Sequence, residues 1–175
     1  MSGIWTGGRR SFLQKLTAAT SALPFLTTAS AAPKEIPKRV LGRTGLNVTM
    51  LGFGAAWLGI YKDEKPAVDL GLRALELGIN FFDTARDYGV SEERLGKALE
   101  GQRKNVVLMT KVLSRGREEA DKDLETSLKM LRTDYLDVWQ IHSVQTQAQL
   151  DRIFGHGGAM RPSWLGCSSS STDRG

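Results

Sequence analysis

Two hydrophobic periods alternate along the central part of the chain, one near 2 residues and one near 3.6. Over residues 39–48, RVLGRTGLNV, apolar and polar positions alternate around Arg43-Thr44-Gly45, which predicts a β-hairpin. VTMLGFGAAW (48–57) reads as an apolar, glycine-spaced strand. EKPAVDLGLRALELG (64–78) sets Val68, Leu72 and Leu75 at helical spacing, with Pro66 in the first turn and Gly78 as the stop. INFFDT (79–84) predicts a second strand. SEERLGKALEG (91–101) predicts a helix capped by Ser91, with acids in its first turn and Gly101 past its end. NVVLMTK (105–111) is a third strand whose unbroken apolar run suits burial on both faces. REEADKDLETSLKMLRTD (117–134) places Ala120, Leu124, Leu128 and Leu131 on one stripe, with acids early and Lys129 and Arg132 late. YLDVWQIHS (135–143) is a fourth strand, and TQAQLDRIFG opens another helix.

About four βα units in series, preceded by a β-hairpin, imply an α/β fold with a parallel sheet. Right-handed crossovers then allow an open doubly wound sheet or a (β/α) barrel. An open sheet that binds a nucleotide would carry G-x-G-x-x-G after its first strand. GFGAAWLG has Gly52 and Gly54, but Trp57 occupies the third glycine position, and no G-x-x-x-x-G-K-[ST] loop occurs. The pattern therefore predicts a (β/α)8 TIM-barrel type, incomplete, because such a barrel takes ~250 residues and only four of its strands can be counted.

The two ends depart from this pattern. Arg9 and Arg10 precede Ser11, Phe12 and Leu13, and LTAATSALPFLTTASAA follows Lys15. A basic start, a mildly apolar middle and a small-residue end are the parts of an export signal, here of the twin-arginine type, over residues 1–31. As a membrane span the stretch fails, since six of its seventeen residues are Ser or Thr and Pro24 interrupts it. This reading implies the twin-arginine export machinery as a partner and a periplasmic location, or a cytoplasmic one without such a signal. Removing the three basic residues of that segment lowers the net charge from +5 to +2. A near-neutral domain without a basic, aromatic-interleaved patch gives no support for nucleic-acid binding. One cysteine and two histidines are too few for an ordinary zinc site, and no metal is expected. At the other end, residues 155–175 hold five Gly and five Ser without apolar periodicity, which predicts a tail that cannot build a core. Residues 32–154 are then the folded part, a truncated or frameshifted half-barrel.

In a (β/α) barrel the catalytic groups stand at the C-terminal ends of successive strands. Asp83 ends the second strand, Tyr88 follows it, Lys111 ends the third and His142 ends the fourth. Any one of these has a plain structural reading, as a solvated loop residue or a packed ring. Together, each at the correct end of a strand, they form a chemical set. A free phenol, with a pKa near ~10, is a poor proton donor at neutrality. An ammonium beside a phenol favours the phenolate, and a carboxylate holds the ammonium in place and charged. A neutral imidazole can hydrogen-bond a carbonyl oxygen and orient the substrate. The product is a general acid aimed at a carbonyl. No side chain is a reductant, so the hydride must come from a cofactor. A hydrolytic barrel would instead use two flanking carboxylates; Asp83 has only Glu92 for a companion, and Glu92 reads as a first-turn helix charge.

FFDTARDYGVSEERLGKAL is similar to the best-known signature of the aldo-keto reductases, with Asp83 and Tyr88 at the catalytic aspartate and tyrosine. LMTKV resembles the segment of the family's lysine through Lys111, and LDVWQIHS that of its histidine through His142. RVLGRTGLNVTMLGFGAAW is similar to the N-terminal hairpin and first strand. The resemblance implies an NAD(P)H-dependent oxidoreductase that reduces aldehyde or ketone carbonyls, or oxidises the matching alcohols. It implies a reduced nicotinamide cofactor, usually NADPH with NADH possible, bound across the barrel mouth without a Rossmann fold. Gly54, Ala55, Ala56 and Asp83 would line the nicotinamide end, and Trp57, Tyr88 and His142 the substrate. The alternative reading is a non-catalytic nicotinamide-binding barrel subunit that keeps the fold without turnover.

Overall fold

The computed structural model describes residues 35–160. The expected export signal over 1–31 and the segment after residue 160 lie outside the described residues. The chain opens with the antiparallel pair β1 (Lys38–Val40) and β2 (Asn47–Thr49), in which Arg39 faces Val48. The connection turns through Gly42 and Gly45, both at positive φ, as the Arg43-Thr44-Gly45 signal predicts. Four parallel strands follow: β3 (Phe53–Gly54), β4 (Phe81–Asp83), β5 (Val107–Val112) and β6 (Val138–Ile141). They pair in the order β3-β4-β5-β6. Helices α1 (Glu64–Glu76), α2 (Ser91–Ala98) and α3 (Arg117–Met130) make the three crossovers, and α4 (Gln147–Phe154) follows β6. Spatial order equals chain order, the progression of a barrel wall; a doubly wound sheet reverses its strand order at a switch point. The α/β, partial-barrel expectation holds.

The strand expected over 48–57 is much shorter. β3 keeps two residues, and Ala55–Gly59 then forms a 3₁₀ helix. Side chains of α2 take up carbonyls there. Ser91 Oγ donates to the Ala55 carbonyl at 2.6 Å, and the Arg94 guanidinium donates to that of Leu58. The chain is thereby drawn off the sheet toward the helix.

The core lies between the sheet and helices α1 and α2. Phe82, Leu108, Leu95 and Leu58 are fully buried and share one cluster with Ala67, Ala74 and Leu131. Glycine brings the helices close: a Cβ at Gly71 would lie 2.8 Å from the Ala98 Cβ, so α1 and α2 nearly touch there. A smaller cluster joins Val112, Ala120 and Ala159, with Trp139 and Ile141 packed on it. Ala159 belongs to the stretch that composition assigned to a coreless tail. Residues 155–160 are held by backbone bonds: Ala159 N–H donates to the Arg115 carbonyl at 2.9 Å, and Arg117 N–H to that of Gly157 at 2.9 Å. Small residues permit this close antiparallel contact, so the packed chain continues six residues beyond the expected boundary at 154. Among the described residues no helix is long and apolar enough to cross a membrane.

Candidate active site

The residues at the C-terminal ends of β3, β4 and β5 stand beside one another. Gly54 faces Asp83 in the β3–β4 register, and Asp83 faces Met109 in the next. Past Asp83 the chain keeps bonding to β5. Thr84 N–H donates to the Met109 carbonyl at 2.9 Å and Arg86 N–H to the Lys111 carbonyl at 3.0 Å. A turn then closes with Tyr88 N–H donating to the Ala85 carbonyl at 3.1 Å. The connection that carries Asp83 and Tyr88 is thus an extension of the sheet over the end of β5. Tyr88 is therefore placed by sheet hydrogen bonds although it lies in a loop.

The four expected groups meet. Lys111 Nζ donates to Asp83 Oδ1 at 2.6 Å and to the Thr84 carbonyl at 2.9 Å. The ammonium also lies 5.1 Å from the centre of the Tyr88 ring. Tyr88 and His142 meet edge to face, ring centres 5.6 Å apart. Each group is partly shielded: the side chains of Lys111, Asp83 and His142 are 13%, 32% and 18% exposed. An amine held by a carboxylate beside a phenol, with an imidazole in edge contact with that phenol, is equipped to hold and transfer one proton.

Behind this group, two residues were misread from the sequence and a third was not selected. Ser91 is not a cap: the helix begins after Val90, and the Ser91 hydroxyl lies between Thr84 Oγ1, at 2.9 Å, and the Ala55 carbonyl. Glu92 is not a solvated first-turn charge, being 1% exposed. Thr110 donates to it at 2.7 Å and the Arg86 guanidinium pairs with it. Arg94 is buried as well, donating to the Leu58 carbonyl and to that of Tyr61 at 2.8 Å. The physical reason is common to all three: the first turn of α2 faces the two loops that form the rim, so its polar groups are spent on loop backbone and on Arg86. This disposition also removes Glu92 from any two-carboxylate mechanism.

The nicotinamide-side expectation divides. Gly54 is exposed, and a Cβ there would meet nothing within 4 Å, so a flat ring can lie against it beside Asp83. Ala56 is half-buried. Ala55 is fully buried with its carbonyl engaged by Ser91, and it supports the site from behind. Trp57 is 67% exposed. It borders a hollow of about 330 Å³ with Ile60 and Tyr61, two residues the sequence reading did not select. Asp87 was also not selected; its carboxylate lies 2.9 Å from His142 Nδ1. The one available signal was its position in the same short turn as Tyr88.

Parallel strands in chain order, each followed by a helix, with Asp83, Lys111, Tyr88 and His142 gathered at their C-terminal ends, define part of a (β/α)-barrel wall with a polar cluster at its rim. The sequence model of the Aldo/keto reductase family matches residues 50–160, and the chain belongs to that family. It is 37% identical over 137 residues to the uncharacterized oxidoreductase YrpG of Bacillus subtilis (strain 168), covering 65% of this chain and 42% of the relative. It is 38% identical over 133 residues to L-galactose dehydrogenase of Arabidopsis thaliana, covering 68% of this chain and 41% of that protein. Among solved structures, the holo form of an aldo-keto reductase from Bacillus halodurans superposes with a TM-score of 0.62 at 35% identity, over 68% of this chain and 44% of the other. The chain therefore spans less than half the length of these relatives.

Proposed function

We propose that the site belongs to an NAD(P)H-dependent reductase of aldehyde or ketone carbonyls, with Tyr88 as the proton donor. One observation carries this reading: the Lys111 ammonium is fixed by Asp83 at 2.6 Å and stands over the Tyr88 ring. The reduced nicotinamide supplies the hydride that no side chain can, and Gly54, Ala56 and Asp83 are the residues here that would hold its ring end. Asp83 keeps Lys111 in place through an ion pair. Tyr88 delivers its phenolic proton to the substrate oxygen, and it takes a proton back in the oxidative direction. Trp57, with Ile60 and Tyr61, offers an apolar wall to the rest of the substrate, and His142 contacts the substrate beside Tyr88.

NADPH oxidation with an aldehyde panel tests the proposal, and Tyr88→Phe is the decisive control. A positioned general acid is worth roughly 10²–10⁴ in rate. The variant is expected to lose that factor while binding NADPH unchanged. Equal turnover in both proteins would remove Tyr88 from the reaction, and a chain that binds NADPH but never turns over would favour the non-catalytic subunit. Turnover by the 175 residues alone is expected to be weak, because the matched segment is less than half of each relative's length. The proposal extends to residues 1–31 as a twin-arginine-type export signal. Replacing Arg9 and Arg10 by Lys should retain the protein in the cytoplasmic fraction; unchanged fractionation would remove this part of the proposal.

A further inference from the structure

We propose that Asp87 is a positioning residue that fixes the tautomer of His142, with the proton on Nδ1 and Nε2 left as an acceptor. The inference deepens the reductase reading and rests on it for its consequence, though not for its test. A carboxylate can only accept. With Asp87 Oδ1 at 2.9 Å from Nδ1, the shared proton sits on that nitrogen, so a neutral imidazole carries none on Nε2.

The rest of the residue is equally constrained. His142 N–H donates to the Val112 carbonyl at 2.8 Å. Its own carbonyl accepts from Arg115 Nη2 at 2.6 Å, and the next residue, Ser143, turns the chain at positive φ. The backbone is pinned on both sides, and the Tyr88 ring stands against the imidazole edge to face. Asp87 and Tyr88 are the last two residues of the turn closed by Tyr88 N–H on Ala85, so one backbone element places both the phenol and the partner of the imidazole.

The consequence differs from what the sequence suggested. A neutral histidine in this state cannot donate a hydrogen bond from Nε2 to a carbonyl oxygen. It accepts one, and a substrate that brings a hydroxyl next to its reacting carbon satisfies it where a bare carbonyl does not. Proton delivery to the carbonyl oxygen then falls to Tyr88 alone.

The chain has two histidines, His142 and His156, so a His156→Gln background leaves His142 as the single imidazole reporter. Long-range ¹⁵N–¹H correlation spectra of the full chain, recorded where the imidazole is neutral, read the tautomer directly. The Nδ1–H form is expected to exceed the Nε2–H form by roughly tenfold or more, as a charge-assisted hydrogen bond provides. Asp87→Leu is expected to abolish that excess. A parent protein with its proton on Nε2 would overturn the proposal, as would an Asp87→Leu spectrum with the Nδ1–H excess intact. The spectrum needs no turnover, so a chain that reduces no carbonyl still decides this question, and failure of the reductase reading remains a separate result.

Discussion

Tyr88 owes its place to a residue that has no side chain. A Cβ built on Gly59 would overlap the Tyr88 carbonyl, and Gly89 beyond it turns at positive φ with its own Cα side close to the Gly59 carbonyl. The 3₁₀ helix after β3 therefore sets the height of the Tyr88 backbone. Gly59→Ala is expected to push Tyr88 away from Lys111 and to cost about 1–3 kcal/mol, as overpacking does. Urea denaturation and the loss of turnover would report the two effects; a variant with parent stability and rate would show that the loop yields freely. The same scale shows what the sequence disclosed. Asp83, Lys111 and His142 could be found because each is the first ionisable residue after an apolar strand, and Tyr88 because it follows in the adjoining turn. Asp87 could not be ranked in advance, because its value comes from a residue 55 positions away. Ala55 was misjudged for the opposite reason: small residues near a glycine suit a ligand surface and a packed core equally well.

Helix α2 shows where local rules gave the wrong answer. Ser, Glu and Glu at a helix start suggest a cap and a favourable dipole. Tertiary packing overrides that reading for Ser91 and Glu92, which face inward, and leaves it for Glu93, which faces Lys97. The contrast is energetic. Lys97 donates to Glu64 at 2.7 Å and to Glu93 at 2.8 Å on the surface between α1 and α2. Its hydrogen bonds to Glu64 and Glu93 hold the Lys97 ammonium above its ordinary pKa, and the Lys97 hydrogen bond holds Glu93 below the usual carboxylate value. The Glu93 contribution is present above the unfolded carboxylate value and is lost as pH falls through the lowered one. That of Lys97 is present below its unfolded value and is lost as pH rises through the raised one. Both are intact at neutrality, and because the two carboxylates are about half exposed, Lys97→Met is expected to change stability little. Glu92→Ala is another case. It strands Arg86 and the Thr110 hydroxyl, and breaking a buried pair costs about 3–5 kcal/mol. Replacing both partners, Arg86→Met with Glu92→Leu, is expected to recover much of that loss. If denaturation showed Glu92→Ala no worse than Lys97→Met, Glu92 would not anchor the rim.

At the scale of the molecule, alternating strand and helix periods were enough to identify a parallel βα arrangement, since each period states which face of an element is buried. The packing of residues 155–160 was not legible, because Gly and Ala that approach a neighbouring backbone look the same in sequence as Gly and Ala in a loop. The sheet also ends in ways that the pattern could only suggest. Among the described residues β6 pairs with β5 alone, and the apolar residues of β6 are only partly covered. Trp139, Ile141 and Leu150 border a hollow of about 490 Å³, and at its rim Val144 is 42% and Phe154 59% exposed. A second hollow of about 480 Å³, lined by Leu124, Leu128, Leu136 and Trp139, lies along α3. Neither is lined by the proton-transfer groups. An open strand edge next to exposed apolar side chains is a template for association. The 175-residue chain is therefore expected to self-associate reversibly with rising concentration in sedimentation velocity. Phe154→Glu should weaken this while leaving the fold intact, because more than half of that side chain already meets water and Ile153, on the buried side of α4, is untouched. A chain that stays monomeric throughout the micromolar range would show that the edge is protected, and association unaffected by the glutamate would move the contact to another surface.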